Sequence, residues 1–318
     1  MSHSTNERKS LPFLVYVLAM GTFLMGTSEF VVAGLLPDIA SNLAIDISEA
    51  GLLVTAFAIG MIATPLIAVA APEMPERTTL LLALAVYSAG HIVVALTDDL
   101  SIILVARFVT ALATGAFWSI AASVASRVAG PDASVRAIGL VLSGGILATV
   151  IGVPLGSVAG QLVGWRGPFW ILAVLAVLAS VPIARVVPGG RSSSTVIPLR
   201  SQLAAVTTAR LWVVMTACVL ISTAVMSTYS FIAPLLTERS GLSAGLLPVG
   251  LAVFGVGAVT GTLNSGRFAD RAPFVTALTG GGIVVIALGL LSVFSSYAAP
   301  SIALLAVAGM AGLGTNPV

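Results

Sequence analysis

The sequence has very little charge. Only 8% of its 318 residues are charged and 58% are hydrophobic, whereas soluble domains carry roughly 25% charged residues. The mean hydropathy is +1.11. So few polar side chains cannot cover a surface that faces water, which excludes a soluble globular protein and indicates a membrane protein.

Cysteine, histidine and lysine are also scarce. Cys218 is the single cysteine, so an internal disulfide is excluded and a cysteine metal site is not expected. His3 and His91 lack the spacing of metal ligands, and we interpret His91 as a buried packing residue. Lys9 is the only lysine and no phosphate-binding loop is present, which excludes ATP hydrolysis. The cations are scattered singly, so nucleic acid is not an expected partner.

What the sequence does contain is a series of apolar runs of about 20 residues, the length that crosses roughly 30 Å of hydrocarbon. The first is too long for the core of a signal peptide and should remain in the product. We predict ten membrane spans, numbered 1 to 10, and therefore an all-α membrane protein. Their approximate bounds are Leu11 to Leu36, Gly51 to Ala71, Thr78 to Leu96, Ser101 to Ala125, Ala137 to Val163, Pro168 to Ala184, Leu211 to Leu236, Ser243 to Ser265, Pro273 to Tyr297 and Pro300 to Val318.

The cations collect on one side of these spans. If the amino terminus is cytoplasmic, Arg166 and Arg239 are the two external cations, Arg107 lies inside span 4, and the other Lys and Arg residues are all cytoplasmic. Acids such as Asp46 and Asp98 occupy the predicted external loops. Because cytoplasmic loops are enriched in Lys and Arg, we predict a multi-pass protein of the inner (plasma) membrane with a cytoplasmic amino terminus.

Two segments of the first half recur in the second. "AGLLPDI" at Ala33 is echoed by "APLLTER" at Ala233, and "FAIG" at Phe57 is echoed by "FGVG" at Phe254. Spans 1 and 2 therefore correspond to spans 7 and 8, a parallel repeat that is common in secondary transporters. The prediction for the domains is a six-helix bundle over 1–187, a cytoplasmic linker over 188–210 and a second bundle over 211–318.

Four motifs carry a family resemblance: "GTSEFVVAGLLPDIA", "ARFVTALATGAF", "SGGILATVIGVPLGSVAGQLVGWRGPFW" and "SGRFADR". Together they resemble the major facilitator superfamily, in its drug:proton antiporter branch, and within it most of all the actinobacterial chloramphenicol exporters. Sugar and nucleoside exporters share much of the pattern. The resemblance implies a major-facilitator-type helix bundle, antiport of protons against a small drug-like or sugar-like molecule, a monomer in lipid, and no cofactor or enzymatic activity.

Two features depart from the family pattern. The first-half copy of the gating loop reads "APEMPERTTLL", where Glu73, Glu76 and Arg77 leave open whether a substitute charge network exists. The second half reaches only its fourth span, and by the repeat Val318 corresponds to a position near Trp118. We therefore expect an incomplete four-helix second half and poor export by this chain alone.

Glu29 and Arg107 are the two formal charges set deep inside spans. Counted from the outer ends of spans 1 and 4, each lies six residues in, roughly 9 Å at 1.5 Å per residue. A lone charge inside a span costs about 2.5 to 3.5 kcal/mol on insertion scales, so it faces the bundle interior and finds a partner. We predict that Glu29 pairs with Arg107. Either the pair is permanent and structural, or Glu29 carries protons as its access to water changes.

Three further residues are candidate proton or substrate contacts. Asp38 follows Pro37 at the predicted end of span 1, and it is equally well explained as an external gate or as a solvated acid at a helix end. Phe117 and Tyr229 lie in presumed cavity helices, where they either stack on an aromatic drug or pack in the core.

Two segments are candidates for conformational change. Gly152, Pro154 and Gly156 belong to the motif of span 5 that the resemblance assigns to a hinge seam between the halves, although close helix packing also explains them. The resemblance also implies an inner gate in the loop after span 8, at Gly266, Arg267, Asp270 and Arg271. Anchoring by cytoplasmic cations explains its arginines equally well.

Two other classes of membrane protein fit less well. An embedded enzyme needs a cluster of reactive side chains at one depth, and the spans supply only Glu29, Arg107 and His91. A receptor or scaffold requires neither a repeat of two halves nor an acid in the middle of a span. The sequence therefore favours a transporter.

Overall fold

The computed structural model describes residues 11–70, 74–187, 189, 209–269 and 273–314, and within these ranges every regular element is a helix. Eight of these helices are long and apolar enough to cross a membrane, and the count is nine if two helices bent by 59° cross it as one span. The all-α membrane fold predicted from the sequence is confirmed.

The first half contains the six predicted spans. We label them α1 Phe13–Leu43, α2 Leu52–Ala70, α3 Glu76–Leu96, α4 Leu100–Ala129, α5 Ser134–Val163 and α6 Gly167–Val186. A short helix, Ile47–Ala50, precedes α2. Within this half α1 packs against α5, α2 against α4, and α3 against both α4 and α6. One hydrophobic cluster joins these helices from Leu11 to Val187.

Helix α1 is longer than the sequence predicts. It continues to Leu43, and Ala44 ends it in a left-handed conformation with φ of 54°. Pro37 lies inside the helix, where it leaves the carbonyl of Ala33 without its usual donor, a defect that membrane helices tolerate. The prediction that Asp38 marks the helix end is therefore wrong, because Asp38 lies more than one turn before it.

Helix α5 is divided by a π turn at Ala148–Gly152. Pro154 lies two residues after this turn and has no N–H to donate to the carbonyl of Val150, which accounts for the change of helical register at this place. The glycines around it pack closely on α1: a Cβ on Gly152 would lie 2.0 Å from Thr27 Oγ1 and one on Gly156 would lie 2.4 Å from Val31 Cγ2. These glycines therefore contact their own half, and their role in conformational change stays a prediction.

The described part of the second half contains a bent helix pair, two helices long enough to cross a membrane, and a shorter apolar helix at the place of the tenth predicted span. They are α7 Ala209–Ser230 with its continuation Ile232–Arg239, α8 Leu247–Ala269, α9 Pro273–Phe294 and α10 Ala298–Gly314. Span 7 was predicted as one segment, Leu211 to Leu236, and in the structure it bends at Phe231, where Pro234 cannot donate to the carbonyl of Ser230. Most of the predicted linker, 190–208, lies outside the described residues.

Helices α5 and α8 meet along a seam between the halves. A Cβ on Gly255 of α8 would lie 2.6 Å from the backbone oxygen of Thr149 and 2.8 Å from Val150 Cα. Val153 of α5 and Ala33 of α1 belong to the same buried cluster as the apolar residues of the second half. We call Thr149, Val150, Val153 and Gly255 the α5–α8 seam.

A buried ion pair joins the predicted cytoplasmic ends of α3 and α4. The side chain of Glu76 is 2% exposed, and Arg127 binds both of its carboxylate oxygens, one of them at 2.7 Å from Nη1. Glu76 therefore has a cation partner from another span, which bears on the open question about the first-half loop. Glu73 lies outside the described residues.

This ion pair predicts an asymmetric response to substitution. Arg127→Ala should lower the free energy of unfolding by about 3 kcal/mol, because it leaves a buried carboxylate without a cation. Glu76→Gln should cost less, since it leaves an arginine whose side chain is 48% exposed. Thermal unfolding of both variants in detergent would measure this, with the equally cytoplasmic Arg185→Ala as control. Equal losses from the two variants would contradict the interpretation.

Candidate functional site

Arg107 lies at the centre of a buried polar network in the first half. It is 1% exposed, and Nη1 donates to the backbone oxygen of Ser28 at 3.2 Å and to Ser28 Oγ at 3.1 Å. Its guanidinium lies over the ring of Phe57, 4.3 Å from the centroid, a favourable cation–π contact. Its Nε and Nη2 atoms have no hydrogen-bond partner among the described residues. Two nitrogens of a buried cation, with three N–H groups between them, are therefore available to another group.

The predicted ion pair between Glu29 and Arg107 is not formed. The salt bridges among the described residues join Arg127 to Glu76 and Arg166 to Asp98. Successive residues of an α-helix point about 100° apart, so α1 cannot direct both Ser28 and Glu29 at α4, and Ser28 takes that position. The charges of Glu29 and Arg107 still interact electrostatically. The half-buried carboxylate of Glu29 accepts no hydrogen bond within the part of the chain described here.

Glu29 lies beside an aromatic group that spans the two halves. Phe30 of α1 meets Tyr229 of α7 edge to face, with ring centroids 5.6 Å apart, and Tyr229 packs on Phe254 of α8 at 4.7 Å. Tyr229 interacts electrostatically with Glu29, and its buried hydroxyl has no protein partner in the described ranges. The structure thus brings together two of the predicted residues, Glu29 and Tyr229, where the halves meet.

His91 was interpreted as a packing residue, and that interpretation is incomplete. It is 1% exposed, its Nε2 lies 2.7 Å from Ser28 Oγ, and its Nδ1 lies 2.7 Å from the backbone oxygen of Tyr87. It is therefore hydrogen-bonded on both ring nitrogens. Sequence reasoning could have found this, because His91 lies five residues inside the outer end of span 3 and so at nearly the depth of Arg107.

Phe117 does not join Arg107 or Glu29. Its ring is fully buried between α4 and α1, where a Cβ on Gly21 would lie 2.2 Å from Phe117 Cζ. The next residue, Trp118, packs on Gly145 of α5, and its Nε1 has no partner among the described residues. Phe117 fills a close helix contact in this structure, and a role in binding stays a prediction.

Asp38 lines a different cavity, of about 590 Å³, at the predicted outer end. Along α1 it lies nine residues from Glu29, roughly 14 Å away. The cavity, which we call the outer cavity, is lined from both halves by Gly34, Pro37, Asp38, Ser41, Asn42, Gly160, Gln161, Gly164, Trp165, Thr237, Ala244 and Leu247. Gln161 Nε2 donates to the backbone oxygen of Ala244 at 2.7 Å, so the halves touch here.

The predicted inner gate cannot be located in full. Asp270 and Arg271 lie outside the described residues, and for Gly266 and Arg267 the structure gives only their place in the last turns of α8. Their gating role stays a prediction.

Comparison with known sequences gives one family and several relatives. A family profile described as Major Facilitator Superfamily matches residues 18–318. A "Chloramphenicol resistance protein" of Streptomyces lividans is 38% identical over 280 residues, which is 87% of this chain and 71% of that protein. A "Probable sugar efflux transporter" of Mannheimia succiniciproducens is 32% identical over 285 residues, covering 87% of this chain and 70% of the relative.

Comparison of folds agrees with this. The crystal structure of a bacterial homolog of the human lysosomal transporter Spinster, in an inward-facing and unoccupied conformation, superposes with a TM-score of 0.77 at 18% sequence identity. The superposition covers 96% of this chain and 74% of that one. At this identity the likeness concerns the fold alone.

Proposed function

Because the chain belongs to the Major Facilitator Superfamily of membrane transporters, we propose that it exports a small molecule in exchange for protons. Glu29 is the proposed proton carrier. The observation that carries the proposal is the half-buried Glu29 side chain, which has no hydrogen-bond partner among the described residues and interacts electrostatically with buried Arg107 and with Tyr229 of the second half.

The arrangement suits coupling for an electrostatic reason. A carboxyl group in a poorly hydrated site favours its neutral form, while a nearby cation favours the charged form. A change in water access between two conformations can therefore reverse its protonation. In the proposed cycle Glu29 takes up a proton when the site opens outward and the molecule leaves. It releases the proton inward as the next molecule binds near Tyr229 and the free donors of Arg107.

We propose an aromatic drug of the chloramphenicol class as the exported molecule. The rings of Phe30, Tyr229 and Phe254 pack on one another where the halves meet, and Tyr229 interacts electrostatically with Glu29. Such a lining suits an apolar or aromatic ligand held by a few polar groups. The relative from Streptomyces lividans, by its name, acts in chloramphenicol resistance. Sugar export is the second candidate, because relatives named as probable sugar efflux transporters match nearly as much of the chain.

The remaining predicted residues receive roles within this proposal. Asp38, exposed in the outer cavity, would meet the molecule on its way out rather than at the site of Glu29. The glycines of α5 and the loop after α8 would adjust as the halves rock. The bias of cations to one side supports an inner-membrane protein with a cytoplasmic amino terminus.

Ligand binding to the purified protein tests this proposal. Titration calorimetry with chloramphenicol, arabinose and a nucleoside, in buffers of different ionisation enthalpy, reports both the affinity and the protons released. We expect chloramphenicol to bind most tightly and to displace close to one proton. Tight binding without proton release would refute the coupling, and preferential binding of arabinose would replace the drug by a sugar.

A further inference from the structure

Ser28 and His91 form a directed hydrogen-bond chain with Arg107. The backbone oxygen of Tyr87 can only accept, so the 2.7 Å contact requires a proton on Nδ1 of His91. Arg107 can only donate, so Ser28 Oγ accepts from Nη1 at 3.1 Å. The single hydroxyl proton of Ser28 is then free to point at His91 Nε2, 2.7 Å away. Every donor in this chain has an acceptor when His91 carries its proton on Nδ1 alone.

This series of hydrogen bonds fixes the position of the Arg107 guanidinium and leaves its Nε and Nη2 atoms without a partner among the described residues. Ser28 holds Nη1 through its hydroxyl and its backbone oxygen, and Phe57 covers one face of the guanidinium. Nε and Nη2 keep their donors unpaired within the described residues. Without His91, the Ser28 hydroxyl could turn its proton elsewhere and lose its orientation toward Arg107.

We infer that His91 is a positioning residue for coupling: through Ser28 it holds Arg107 so that the two unpaired guanidinium nitrogens, Nε and Nη2, serve Glu29 or the bound molecule. The inference rests on the proposed function and adds α3 to the site. Arg107 on α4 and Tyr87 on α3 are the charged and titratable groups that interact with His91. Glu29 follows Ser28 on α1, and α6 contributes the ring of Phe169.

Two substitutions of His91 separate this role from packing. Glutamine can place an acceptor near the position of Nε2 and so keep the bond to Ser28, whereas asparagine can keep a donor near Nδ1 for the Tyr87 oxygen but does not reach Ser28. We expect His91→Gln to retain the affinity and the proton release of the parent protein. His91→Asn and Ser28→Ala should each weaken ligand binding about tenfold, roughly the value of one hydrogen bond to a charged group. His91→Asn in the Ser28→Ala background should add little.

The opposite order of the ligand affinities of the two His91 variants would overturn the inference. If His91→Asn binds like the parent while His91→Gln does not, the backbone contact with Tyr87 is what matters and Arg107 is not positioned through Ser28. Thermal unfolding of each variant shows whether the protein is still folded. A variant that does not fold leaves Ser28→Ala and the spectroscopic test below to decide.

The hydrogen bonds of His91 can be tested by nuclear magnetic resonance spectroscopy, whether or not Glu29 carries a proton in the transport cycle. The chain has only two histidines, so His3→Asn leaves a single histidine signal after ¹⁵N-histidine labelling. We expect an unprotonated, hydrogen-bonded Nε2 and a protonated Nδ1, with the Nε2 signal moving in Ser28→Ala. A proton on Nε2, or no response to Ser28→Ala, would refute the positioning chain. Failure of the proposed function alone would show as proton-free binding with this signature intact.

Discussion

Replacing Glu29 with glutamine is expected to remove the pH dependence of ligand binding. If the molecule and the proton compete for the site, affinity rises with pH by up to tenfold per unit while the carboxyl group is protonated. Over two units the parent protein would then change by about a hundredfold. Glutamine resembles the protonated acid and cannot release a proton. The variant should therefore bind weakly and equally at every pH, as measured by calorimetry between pH 5 and 8.

Asp38→Asn is the matched control for this experiment. It removes a carboxylate from the same helix, in the exposed outer cavity and roughly 14 Å from Glu29. We expect it to leave the pH dependence largely unchanged. A Glu29→Gln protein that still gains affinity with pH, or an Asp38→Asn protein that loses the dependence, would remove Glu29 from its proposed role.

Gly255→Leu is expected to separate α5 from α8 and to destabilise the conformation described here by about 3 kcal/mol or more. A Cβ at this position would lie 2.6 Å from one backbone atom of Thr149 and 2.8 Å from two others at Thr149 and Val150. Backbone atoms of two packed helices cannot move aside as a side chain can. Gly255→Ala already carries the Cβ and should show a smaller loss in the same direction, measured by thermal unfolding and ligand affinity.

Gly282→Leu supplies the comparison. Gly282 is on the neighbouring helix α9, and a Cβ there would have no atom within 4 Å. The same change in hydrophobicity and helix propensity should therefore have little effect on thermal unfolding or ligand affinity at this position. If Gly255→Leu and Gly282→Leu behave alike, the α5–α8 seam does not depend on backbone approach.

The ten helical segments could be predicted from the sequence because a segment that crosses the hydrocarbon of a membrane must be apolar over about 20 residues. Apolar length fixes where a span lies, and the excess of cations indicates its direction. The ends and bends of the helices were harder to predict. Pro37 lies inside α1 without ending it, whereas Pro234 accompanies a sharp bend at Phe231. The sequence alone does not show whether neighbouring groups compensate for the missing donor of a proline.

The depth of the site residues could be predicted from the sequence, but their direction around each helix could not. Depth counting placed Glu29 and Arg107 at the same level, and their charges do interact. Depth does not specify the direction around a helix, however, and about 100° of rotation decides whether Ser28 or Glu29 faces Arg107. The aromatic neighbours Phe30 and Phe254 depend on how the two halves dock, and no local pattern in either half encodes this.

The π turn in α5 sets the direction of the side chains that follow it. One additional residue is accommodated between Ala148 and Gly152, so every side chain beyond it is offset by one position from a regular helical count. Deleting a single residue there would remove the wide turn, although Pro154 would still lack a donor, and it would rotate Gly156 and Gly160 away from α1. In this helix, a regular helical register and the fit to the neighbouring helix are mutually exclusive.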